Sequence, residues 1–122
     1  MIKRALVLSL TLVLTACAAG GTSDPAKTVE KYLQAKVKGD AATLRSLLCS
    51  KMEAQLQQEA TTFTGVTGVS IEGMACKQDG EDRVSCQGKI VALYGKEKMD
   101  FPLVAYRVVK EDGEWKWCGE TK

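Results

Sequence analysis

Midway along this 122-residue chain the hydrophobic period changes, and that change constrains the fold more than any single motif. Before Phe63 apolar residues recur at helical spacing; beyond it, β-branched residues alternate between turn signals. Asp24-Pro25 starts the first helix, because Asp accepts from free N–H groups and Pro loses nothing at the first helical position. Ala26, Val29, Leu33 and Val37 make its inward stripe with Tyr32 beside them, and Gly39 ends it. Asp40 caps a second helix bearing Leu44, Leu47 and Leu48. Ser50-Lys51-Met52-Glu53 fits a capping box for a third, short helix through Met52, Leu56, Ala60 and Phe63.

The second half reads as strands. The first starts at Val69 and reaches Lys77, Asp79-Gly80 turns the chain, and Arg83 to Tyr94 returns. After a turn at Gly95-Lys96-Glu97, Phe101 to Val109 is the most apolar segment and is expected at the sheet centre. Glu111-Asp112-Gly113-Glu114 turns once more into a last strand, Trp115 to Gly119. Sequential strands joined by tight turns predict an antiparallel meander. Helices first and strands afterwards make an α+β domain, with the helices packed on a four-stranded sheet. No internal repeat interrupts this order.

The N-terminus has a different character. Met1-Ile2-Lys3-Arg4 is a positive head and Ala5 to Ala16 an apolar run, the pattern of a secretory signal over 1–16. The run is shorter than the roughly 20 residues a spanning helix needs, and no polar face marks it as a surface helix. Leu14-Thr15-Ala16-Cys17 at its end resembles the bacterial lipobox. The resemblance implies that Cys17 receives a diacylglyceryl group, that the chain is cleaved before it, and that acyl chains hold it to a membrane. Residues 17–23 then form a lipidated tether of small residues, and 24–122 the single domain. Location follows as the non-cytoplasmic side of the cell envelope. With Ala rather than Asp at 18, that is the outer membrane if the host is Gram-negative. Loss of Lys3 and Arg4 leaves 15 Lys+Arg against 15 Asp+Glu, and a neutral domain has no basic field to attract nucleic acid.

The chain has five cysteines and no histidine. With Cys17 assigned to lipid, Cys49, Cys76, Cys86 and Cys118 remain, an even number that an exported protein is expected to oxidise. Three connectivities exist. Cys76 and Cys86 flank the first hairpin symmetrically, which favours their pairing and leaves Cys49 for Cys118. Joining Cys86 to Cys118 would need the second and fourth strands to be neighbours. Closing about 70 residues contributes roughly 4 kcal/mol and about 11 residues roughly 3. Without histidine or a Cys-x-x-Cys motif, no metal or redox centre is expected.

Three segments carry a family resemblance: "PAKTVEKYLQAKVKGD", the second helix ending "LLCS", and the final hairpin "VVKEDGEWKWCGE". Over about 24–119 the chain resembles small exported members of the nuclear transport factor 2-like superfamily, close to domain families of unknown function on bacterial lipoproteins. Gly39-Asp40 at the first helix end and Lys110-Glu111-Asp112-Gly113 before Trp115 are the matching motifs. Some exported relatives carry cysteines like Cys49 and Cys118. The resemblance implies a cone: a curved antiparallel sheet wrapped around the first helix, with a pocket at its open end.

Candidate acid/base residues are few. Asp40 reads as a helix cap, Asp100 as a solvated residue beside Lys98, and Tyr94 as a turn residue. Tyr32 and Tyr106 read as core residues with hydroxyls at a rim. Ser–His nucleophilic chemistry is impossible without histidine, and Gly65-Val66-Thr67-Gly68 lacks the context of a phosphate cradle. No catalytic residue and no cofactor is therefore expected. Trp115 and Trp117 share a strand face, as core or as an aromatic platform for a ligand. Lys96-Glu97-Lys98 reads as a solvated turn. The expected function is a non-enzymatic binding or interaction domain displayed at a membrane. Its partners are the membrane through Cys17 and an envelope protein or small apolar ligand. A carrier or enzyme using the cone interior and a structural envelope protein are the alternatives. A pocket lined by Tyr32 or Tyr106 with a buried acid favours the interior; filling by Val29, Leu33, Phe63, Phe101 and Leu103 excludes it.

Overall fold

The computed structural model describes residues 24–121; the expected signal 1–16, the lipidation residue Cys17 and the tether to residue 23 lie outside them. The helices are α1 (Pro25–Lys38), α2 (Ala41–Leu47) and α3 (Leu56–Thr61), with a 3₁₀ turn (Ser50–Gln55) leading into the last. The strands are β1 (Thr67–Gln78), β2 (Arg83–Tyr94), β3 (Glu97–Pro102), β4 (Ala105–Glu111) and β5 (Glu114–Thr121). All strand pairings are antiparallel, and the sheet is open, in the order β1-β2-β4-β5 with β3 also on β2.

Local chemistry sets the helix boundaries. The Asp24 carboxylate accepts from the Ala26 N–H at 2.9 Å, and Pro25 follows as the first helical residue. Gly39 is left-handed at φ 68°, and the Asp40 N–H closes the end on the Ala35 carbonyl at 3.0 Å. Asp40 then caps α2 through the Thr43 N–H at 3.1 Å. The expected capping box at Ser50 does not form. The Ser50 hydroxyl and N–H both donate to the Glu111 carboxylate instead, at 2.6 and 3.0 Å. A charged acceptor 61 residues away satisfies the same donors.

The sheet has five strands rather than the expected four. The apolar segment expected as one central strand is split between β3 and β4 at Leu103-Val104. Both halves run along β2, but the register slips by one residue between Lys89↔Pro102 and Ser85↔Ala105. Gly88 sits at that slip with φ 105°. It also faces the bulge in β1 between Glu72 and Ala75; a Cβ there would lie 2.6 Å from the Glu72 carbonyl oxygen. Bulges on both sides of one glycine bend the strand. Centrality passes to β2, which alone pairs with β1, β3 and β4.

The core lies between α1 and the sheet. Val29, Tyr32 and Leu33 of α1 meet Leu44 and Leu47 of α2, Val84 of β2, Val108 of β4 and Trp117 of β5, all buried. Two disulfides brace it. Cys76–Cys86 joins directly opposed residues of the β1–β2 hairpin, and Cys49–Cys118 ties the end of α2 to β5. Beside the second, Leu48 forms a parallel bridge with Trp117, and the Cys49 N–H donates to the Trp117 carbonyl at 2.9 Å. Strand β4 lies between β2 and β5, so Cys86 and Cys118 are not on neighbouring strands.

Candidate functional site

Between α1 and the β2–β3 arm lies an open cavity of about 220 Å³. The chain has seven aromatic residues, and six line this one cavity: Tyr32, Phe63, Tyr94, Phe101, Tyr106 and Trp117. They form two groups. Tyr32 stacks on Trp117 with centroids 3.8 Å apart and planes 12° from parallel, and Tyr106 lies 6.5 Å from the same indole. Phe101 meets Phe63 at 6.0 Å and Tyr94 at 6.5 Å, both edge to face. The first group is buried. In the second, Tyr94 and Phe101 are exposed and Phe63 half-buried. Leu33, Ile90 and Leu103 supply aliphatic wall.

The polar groups are Lys36, Thr62 and Glu120 on the lining, with Glu59 behind Tyr32. The Tyr32 hydroxyl donates to Glu59 Oε2, and Lys36 Nζ pairs with the same oxygen at 2.9 Å. Burial first, then the adjacent Glu59 carboxylate, push the Tyr32 hydroxyl far above its ordinary range. Tyr32 is thus a fixed donor, not a base. Burial also raises Tyr106, whose oxygen accepts from the Val104 N–H at 3.4 Å. The Trp117 indole N–H has no acceptor among the described residues and is shut away from solvent, so it offers nothing to a ligand without ring movement.

The residues singled out in the sequence divide clearly. Tyr32, Tyr106 and Trp117 come together at the cavity, and Tyr94 joins them instead of serving only as a turn residue. Trp115 stays apart, half-buried, with Lys110 Nζ 5.7 Å from its ring centre. Asp40 is a cap, its carboxyl lowered by the hydrogen bonds from Thr43. Asp100 pairs with Lys89 Nζ at 3.0 Å, and that bond lowers its carboxyl. Neither acid lines the cavity. Val29, Leu33 and Leu103 are buried, but Phe101 is exposed, so the interior is only partly filled.

Lys36, Glu59 and Glu120 escaped the sequence reading. Lys36 was legible in principle, since it follows Tyr32 by four residues on one helix face. Glu59 is 27 residues from Tyr32 and carried no signal. By simple alternation Glu120 should face away from Trp117, and Gly119 should share its face. However, the β4–β5 register shifts between Tyr106↔Glu120 and Val108↔Trp117, and Gly119 takes up the extra residue at φ 104°.

Among the described residues no cluster of three or more His, Cys, Asp or Glu is placed to hold a metal ion, and no helix is long and apolar enough to cross a membrane. Compared with known proteins, the chain matches no family model and no curated protein.

Proposed function

We propose that this protein is a lipid-anchored lipoprotein of the bacterial envelope whose domain is a non-enzymatic binding module of nuclear transport factor 2-like, cone-like architecture. Its ligand is a small apolar molecule held in the aromatic cavity. One observation carries this reading: six of seven aromatic rings converge on a single opening, and two of them remain exposed there. Ligand sites are apolar concavities with a few placed polar groups, and drug-sized ones start near about 300 Å³. At about 220 Å³ this one suits a smaller molecule. Tyr32 is locked as a donor, and Glu59 Oε2 already has two partners, so this phenol and the acid behind it are committed to each other. The two disulfides agree with an oxidising compartment, and the lipobox resemblance at Cys17 supplies the anchor.

Two experiments test it. The Cys17→Ala variant should keep its apolar leader and so be larger than the wild type, and should carry no acyl chain; an acylated or normally processed variant would defeat the lipoprotein reading. The full chain purified from its own envelope in mild detergent should release a small molecule on denaturation, and Tyr94→Ser/Phe101→Ser should carry much less. Equal recovery from the double variant would place the ligand elsewhere. An empty wild-type chain that also binds no small apolar probe would favour a structural role instead.

A further inference from the structure

We infer that the cavity selects a small organic cation, an ammonium group carried on a compact apolar body. This rests on the cavity being the ligand site and names the chemistry of its ligand. Aromatic faces present negative quadrupole to whatever enters, and a cation gains from them where an isosteric neutral group does not. The rings here are Tyr and Phe at the rim and Tyr and Trp within. The fixed charges point the same way. Lys36, the only cationic residue on the lining, is neutralised by Glu59 at 2.9 Å. The Glu120 carboxylate has no ion pair or hydrogen bond among the described residues, and the residue stands directly across from Tyr106 in the β4–β5 register. The lining and the Glu59 behind it therefore carry one uncompensated negative charge.

The alternatives fit less well. An anionic ligand would face Glu120 with no free cation to receive it. Lys36 itself already illustrates the preferred contact, with Nζ 6.0 Å from the Tyr32 ring centre. A neutral ligand gains the apolar walls but leaves the charge of Glu120 unused.

The test compares two molecules of nearly equal shape, phenyltrimethylammonium and tert-butylbenzene, titrated into the full chain in mild detergent. Binding is followed by the Trp117 indole N–H resonance and corrected for partition into micelles. The cation should bind about tenfold more tightly than the hydrocarbon, a difference within the range of desolvated cation–π contacts. Glu120→Gln should remove most of that preference, and Glu120→Asp should retain part of it. Glu120 is exposed, so both variants should unfold at the wild-type denaturant concentration. Equal binding of the two molecules would overturn the cation inference and leave the cavity as an apolar site. A preference that survives Glu120→Gln unchanged would remove Glu120 from it. Binding of neither molecule would overturn the inference and weigh against the cavity as a ligand site at all.

Discussion

Strands β3 and β4 lie end to end along the same side of β2, yet one is a core strand and the other is not. In β4, Tyr106 and Val108 are buried; in β3 every residue is exposed, Met99 and Phe101 included. Composition separates them only in part, since both carry three charged residues and large apolar ones. Position does the rest: β4 is flanked by β2 and β5, whereas β3 has only β2 beside it. The slip across Gly88 separates the two stretches, so β3 stands as an exposed edge arm on β2, whose Ile90, Val91 and Ala92 opposite it stay buried. Exposed apolar side chains on an edge strand add little to folding, and here Phe101 borders a cavity. The comparison separates residues that hold the fold from residues that the fold holds in place for something else.

Breaking the core side should cost most. Trp117→Ala removes the buried indole that stacks on Tyr32 and lies against Tyr106, and should lose about 3–5 kcal/mol of unfolding free energy in urea. Gly88→Ala strikes the boundary between the two strands. Its positive φ and the 2.6 Å approach to the Glu72 oxygen should cost about 2–4 kcal/mol, from strain and overpacking together. A loss below about 0.5 kcal/mol would mean that the bulges can relax, and that the arm is not fixed by Gly88.

The smallest effect concerns pH on the braced side. Hydrogen bonds from the Ser50 hydroxyl and N–H hold the Glu111 carboxyl below its ordinary range. A carboxyl lowered in the folded state stabilises above its unfolded pKa, and the contribution fades as pH falls through the folded value. Glu111→Gln should therefore be less stable than wild type at neutral pH and lose less stability between about pH 6 and pH 3. Parallel pH curves for the two proteins would show that the contact is not carrying that difference.

Much of this was legible in the sequence because it depends on neighbours a few residues apart. Asp24-Pro25, Gly39 and Asp40 set the helix boundaries, and Arg83 to Tyr94 reads as a strand over its observed length. The cysteine pairing followed because it needed only the hairpin and the strand order. What escaped depends on register or on distant partners. The split at Leu103-Val104 arises from a slip against β2, which no pattern within 101–109 records. Glu120 turns toward Trp117 only because Gly119 absorbs a residue. Ser50 looked like a cap because Glu111, its acceptor, is folded in from far along the chain. Tyr94 looked like a turn residue, and nothing local showed that Phe101 would stand beside it.

The central claim is that the aromatic residues of the arm serve a ligand and not the fold. The most direct measurement is the affinity of the Phe101→Ser chain, set beside its unfolding free energy in urea. The ligand is whichever of phenyltrimethylammonium and tert-butylbenzene the wild type binds more tightly. The account expects affinity to fall at least about tenfold while stability falls by less than about 1 kcal/mol, since Phe101 is exposed. Unchanged affinity, or a stability loss as large as that of Trp117→Ala, would contradict it.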